Sequence, residues 1–181
     1  DMPLVADAGT EFNYSTSIDW AGLVVEAVSG RTLDRYWRDE ILEPLGMEST
    51  FVALDEETRA RTAAVHLRQD DHWGVTAIDY YAPGSGPPEF YAGGHCLYSC
   101  AADFLRLQRA LLAGGTLDGA RVLEEATAAE LFRDHLGSIA IEPFPAVQPA
   151  VTAEVDLGPG ATWGLGQWVT MVREGGLRNA G

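Results

Sequence analysis

Between Ser17 and Ser29 the residues Ile18, Trp20, Ala21, Leu23, Val24, Val25, Ala27 and Val28 run nearly all the way round a helical wheel. A helix with that pattern is expected to be buried on most of its faces, which demands a layered fold around it. Gly30 is a natural stop for this helix. Thr32 then reads as an N-cap, with Asp34 well placed for the positive end of the next helix. Leu33, Tyr36, Trp37, Ile41 and Leu42 recur at helical spacing until Pro44 ends the run. Leu45-Gly46-Met47 and Ser49-Thr50-Phe51 form the connector behind it.

Further along, Asp55 to Ala64 reads as a short polar helix. Val65–Leu67 and Val75–Ile78 read as two strands of a hairpin with its tip at residues 70–74. Residues 83–88, Pro-Gly-Ser-Gly-Pro-Pro, are turn and loop chemistry. Ser99 is expected to cap a second strong helix carrying Phe104, Leu105, Leu107, Leu111 and Leu112, closed by Gly114-Gly115. Leu117-Asp118-Gly119-Ala120 predicts a tight turn, and Glu124 to Leu136 a further helix. Four prolines between Gly137 and Gly160 predict a long loop. Thr162 to Val172 is β-prone, with a turn expected at Glu174-Gly175-Gly176. The order is helices first and one strand last. A lone strand leaves its backbone donors and acceptors unmet, so the chain reads as the middle of a larger catalytic domain: residues 1–160 mainly helical, residues 161–181 a strand returning to a sheet.

Charge and composition narrow the function classes. Of 181 residues, 27 are acidic and 12 basic, a formal net charge of −15. That balance argues against nucleic acid, whose phosphates require a basic footprint. Every basic residue is arginine, so a Schiff-base lysine, a P-loop lysine and a Ser-x-x-Lys pair are excluded within these residues. No apolar run is long enough for a membrane span, and Asp1-Met2-Pro3-Leu4 does not read as a signal peptide. Two cysteines, Cys96 and Cys100, are too few for a disulfide framework or a zinc site and read as core residues sharing a helix face. His66, Asp70, Asp71 and His72 match no metal-ligand spacing and read as a solvated hairpin tip. No cofactor is expected.

Several separated stretches carry a resemblance. Phe12-Asn13-Tyr14-Ser15-Thr16 with Glu26-Ala27-Val28-Ser29-Gly30, Glu43-Pro44-Leu45-Gly46-Met47 with Thr50-Phe51, Ala92-Gly93-Gly94-His95-Cys96-Leu97-Tyr98-Ser99 leading to Ala102-Asp103-Phe104, and Trp163-Gly164-Leu165-Gly166-Gln167-Trp168 stand in order along the chain. Together they resemble the serine β-lactamase-like hydrolases, the superfamily of class C β-lactamases, penicillin-binding carboxypeptidases and related carboxylesterases. The resemblance implies an α/β, β-lactamase/transpeptidase-like fold: an antiparallel sheet flanked by helices, plus a mostly helical subdomain. It also implies a serine nucleophile and its lysine upstream, a third motif downstream, and the remaining parts of the same catalytic domain as the chain's partners.

By that resemblance Tyr14 is the general base or proton relay for the serine. A phenol ionises near pH ~10, so accepting a proton near neutrality requires an adjacent lysine cation. Thr16 occupies the place where penicillin-recognising members commonly carry asparagine. An amide both donates and accepts across a substrate amide, whereas a threonine hydroxyl reaches less far. Thr16 and Ser17-Ile18-Asp19 therefore point toward esters. Thr16, Gly93, Gly94 and His95 are the expected substrate-binding residues, although a histidine in such a turn is ordinarily a polar loop residue. Trp73 and Tyr80-Tyr81 are expected to touch an apolar acyl group, while Trp20, Trp37, Trp163 and Trp168 read as packing residues. The function implied is a serine hydrolase working through an acyl-enzyme on a small-molecule ester, a carboxylesterase foremost. The rivals are a β-lactamase or D-alanyl-D-alanine carboxypeptidase acting on a β-lactam-like substrate, and an inactive binding module on the same fold.

Overall fold

A computed structural model describes residues 3–69, 72–76, 89–146 and 152–170. They form two compact units: Ser15–Ala128, and a second assembled from the segments Asp1–Tyr14 and Ala129–Gly181.

In the contiguous unit, α1 spans Ser17–Ser29 and ends at Gly30, whose φ of 67° lets its N–H turn back onto the Glu26 carbonyl. Helix α2 (Leu33–Trp37) continues into a wider π turn at Arg38–Leu42. Thr32 has the extended backbone of an N-cap, but its side chain makes no capping bond. Glu26 of α1 takes that role, its carboxylate accepting the Leu33 N–H at 2.7 Å. Beyond the connector lies α3 (Glu56–Arg61), where Asp55 and Thr58 close a reciprocal capping box. The Thr58 hydroxyl, foremost among its partners, holds the Asp55 carboxyl below the usual carboxylate range.

The expected burial of α1 is corrected. Trp20, Val24 and Val28, one stripe at i, i+4 and i+8, stay 60%, 61% and 84% exposed. Within this unit α2 and the Gly93-Gly94 turn both meet α1 on its Gly22 side, so the opposite stripe remains at the surface. The hairpin of β1 (Val65–Gln69) and β2 (His72–Thr76) pairs Gln69 with His72. His72 and Trp73 thus belong to the strand rather than to the tip. Asp70, Asp71, Ile78, Tyr80, Tyr81 and the 83–88 turn lie outside the described residues.

Helix α4 (Ala101–Leu112) starts one residue later than expected, with Cys100 at the N-cap and no side-chain capping bond. Ser99 is engaged elsewhere. Buried Asp103 accepts from the Ser49 N–H at 2.7 Å and the Thr50 hydroxyl at 2.9 Å, and Thr50 Oγ1 lies 2.8 Å from Ser99 Oγ. These bonds offset the cost of burying a carboxylate. They fasten the connector to α4, over a core of Leu45, Met47, Ala110 and Leu117 with Ile41, Leu42, Leu107 and Val122 packed against it. Completely burying a leucine such as Leu45 is worth about 1.5–3 kcal/mol. The tight turn after α4 is as expected. Asp118 and Gly119 both take positive φ, 49° and 87°, between β3 (Thr116–Leu117) and β4 (Ala120–Arg121). Cys96 is buried in a turn and Cys100 is exposed, so the two do not share a helix face.

The expected helix from Glu124 to Leu136 is shorter, with α5 ending at Glu130. The groups that would continue it are taken by a hairpin. The β-prone segment expected as one strand is β5 (Ala161–Trp163) paired with β6 (Trp168–Thr170). The Leu131 carbonyl accepts from the Gln167 side chain at 3.1 Å, and the His135 N–H donates to the Trp163 carbonyl at 3.0 Å. A Cβ at Gly164 would stand 1.9 Å from the Leu131 carbonyl oxygen, so only glycine permits this approach. The described residues of the long loop expected between Gly137 and Gly160 form neither helix nor strand, and Phe144 and Val155 make an antiparallel bridge there. Glu174-Gly175-Gly176 lies outside the described residues.

Candidate active site

Tyr14 closes the N-terminal segment of the discontinuous unit. Its ring lies 5.9 Å from Phe144 and 5.8 Å from Trp163 between centroids, edge-on to the latter at 64°. Phe12 stands 5.1 Å from Trp163 and 6.2 Å from Phe144. Two half-buried rings, Phe144 and Trp163, therefore back a tyrosine that is itself 71% exposed, and Phe12 packs on those two rings. Trp163 was expected as a packing residue and Phe12 only as the first residue of its motif, while Phe144 was not singled out. The signals available were the aromatic pair two residues apart at Phe12 and Tyr14, and a phenylalanine set between two prolines.

The other expected residues gather at the start of α1 in the contiguous unit. Thr16 occupies the N-cap position, where its side chain makes no capping bond and its carbonyl accepts the Asp19 N–H at 3.0 Å. Asp19 in the first turn accepts the Gly94 N–H at 2.8 Å, and its carboxylate stands 4.0 Å from His95 Nδ1. The negative charge suits the helix N-terminus. A Cβ at Gly93 would lie 2.4 Å from the Ile18 carbonyl oxygen, and one at Gly94 2.5 Å from Ile18 Cγ2. The glycine pair is thus dictated by its seat on α1. Beyond it, Tyr98 and Phe51 exchange two backbone hydrogen bonds of 2.8 Å, which fix the far end of the turn.

Gly93, Gly94 and His95 are therefore brought together with Ile18 and Asp19 by local packing. Asp19 was not anticipated as their anchor, although its place one turn into α1 was legible. Trp73 is exposed on β2. Burial, and then the Asp34 charge, push the Tyr91 phenol up. Among the described residues, no three of His, Cys, Asp and Glu are placed to share a metal ion, and no helix is long and apolar enough to cross a membrane. In the discontinuous unit Tyr14 offers an exposed phenol on an aromatic backing; in the contiguous unit Thr16 offers a hydroxyl and His95 an imidazole beside the Asp19 carboxylate. They can donate, accept and orient.

A fold of helices with small antiparallel sheets, carrying these motifs in this order, defines the β-lactamase/transpeptidase-like class. The family model described as Beta-lactamase matches residues 1–177, and the chain belongs to that family. It is 34% identical over 137 residues, 75% of this chain and 33% of the other, to an uncharacterised protein of Mycobacterium tuberculosis. It is also 34% identical over 141 residues to lovastatin esterase of Penicillium rubens, again covering 75% of this chain and 33% of the relative. Among solved structures, a mutant of the simvastatin synthase of Aspergillus terreus superposes with a TM-score of 0.70 at 25% identity, covering 93% of this chain and 43% of that one. The chain spans about a third of the length of the curated relatives it matches.

Proposed function

We propose that the complete protein is a serine hydrolase of the carboxylesterase type, acting through an acyl-enzyme, in which Tyr14 serves as general base for a serine supplied outside these residues. The observation that carries this reading is the exposed hydroxyl-bearing ring of Tyr14, held against Phe144 and Trp163. Serine attack on an ester carbonyl gives a tetrahedral intermediate that backbone N–H groups can stabilise. Thr16 in place of an amide side chain favours esters over substrates whose amide must be read. The name of one relative, lovastatin esterase, supports the same class. Gly93, Gly94 and His95 would border the substrate, with Asp19 fixing the turn that carries them.

The test uses the complete protein with p-nitrophenyl esters and nitrocefin. Short acyl esters are expected to be hydrolysed much faster than nitrocefin. Tyr14→Phe is expected to lower kcat on the esters by about 10²–10⁴-fold, with little change in the thermal midpoint. Nitrocefin turnover at or above the ester rate would move the assignment to a β-lactamase. Near-normal ester turnover by folded Tyr14→Phe would remove the general-base role.

A further inference from the structure

Phe144 is held more firmly than its surroundings require. The described residues around it lie in neither helix nor strand, yet its N–H donates to the Val155 carbonyl at 2.9 Å and its carbonyl accepts from the Val155 N–H at 3.0 Å. It also sits between Pro143 and Pro145. A following proline disfavours the helical region for Phe144, and Pro143 has its own φ fixed. Both narrow the backbone conformations open to this segment before any side chain packs. Trp163 is fixed independently, as the last residue of β5 with its carbonyl bonded to His135. Two rings on rigid supports thus flank Tyr14, and they leave its surface open.

From this arrangement we infer that Phe144 is a specificity-determining residue: with Trp163 it forms the aromatic wall that receives the apolar acyl chain of the substrate. The inference rests on the reading of Tyr14 as the base. The attacking serine oxygen must lie within hydrogen-bond reach of the Tyr14 hydroxyl, and the acyl carbon one forming bond beyond it. The first methylenes of the chain then run beside the rings packed on that tyrosine. Hydrocarbon against ring surface is an apolar contact that sheds water from both partners. A wall whose backbone is already ordered spends little of that gain on fixing itself.

The experiment uses the complete protein as wild type, Phe144→Ala and Phe144→Leu, with thermal midpoints recorded for all three. One arm varies the acyl chain, as p-nitrophenyl acetate, butyrate and octanoate. A second varies the alcohol at constant butyrate. A third titrates octanoate and needs no turnover. Phe144→Ala is expected to lower the octanoate-to-acetate ratio of kcat/KM by about tenfold or more, and to weaken octanoate binding by a similar factor. Phe144→Leu, which keeps apolar bulk, should fall between, and it decides the matter where Phe144→Ala does not fold. An unchanged acyl ratio in a folded variant, or a change confined to the alcohol series, overturns the inference. If ester turnover is missing, or survives Tyr14→Phe, the reading of Tyr14 fails by itself. The octanoate titration then decides the wall: weaker binding by the variants sustains it, and equal binding removes it.

Discussion

Asp134 shows how one carboxylate can secure a bend. It accepts from the Leu136 and Gly137 N–H groups at 2.9 and 3.0 Å and from the Thr162 hydroxyl. The Thr162 bond is the largest of the influences that hold its carboxyl below the ordinary range. A depressed folded value means that the stabilisation is complete above the unfolded value of about 3.9 and disappears as the pH falls through the folded value. Asp134→Asn is therefore expected to lower the thermal midpoint by a constant amount from pH 7 down to about pH 4, and by progressively less below that. A difference still undiminished at pH 3 would show that the bonds do not depend on the charge. Residues of this kind were only partly legible. Tyr14 and Thr16 were singled out only through their motif, whereas the contacts of Asp134 and Phe144 are made with Thr162 and Val155, which no local pattern pairs with them.

Elements were read best where their ends are chemically marked. Helix α1 has the expected bounds because Gly30 supplies the left-handed cap that stops it. The turn at Asp118-Gly119 follows from residue types that tolerate positive φ. Reading failed at α5, where local propensity favours more helix but the hairpin of β5 and β6 competes for the same backbone groups. It also failed at the exposed stripe of α1, since periodicity reports which faces are apolar and not which of them find a neighbour. The Gly93-Gly94 seat on α1 yields a direct check. Gly93→Ala would drive a methyl group into the Ile18 carbonyl and is expected to cost about 1–3 kcal/mol as overpacking. In the complete protein the thermal midpoint should fall, by at most about 2–4 °C per kcal/mol. An unchanged midpoint would mean that α1 and the turn separate freely.

Across the whole molecule, the family and fold were legible because four motifs stand in order, which no single one of them could establish. The partition into units was not, since it joins residues before Tyr14 to residues after Ala128. Apolar surface remains on α1 at Trp20, Val24 and Val28 and on α4 at Phe104, Leu105 and Leu112. Produced alone, these 181 residues are expected to bind an apolar dye such as ANS and to show no turnover of p-nitrophenyl esters, because no lysine is present to activate a serine. Turnover by the isolated chain, lost on substituting a residue within it, would falsify the acyl-enzyme reading given above. The discontinuous unit also has a consequence for biosynthesis. A contiguous stretch such as Ser15–Ala128 can begin to fold as it leaves the ribosome, while pairings across long sequence separations wait for the later strand. Phe12 and Tyr14 emerge before that stretch, but Phe144 and Trp163 emerge after it. The proposed base is thus translated early and acquires its aromatic backing late.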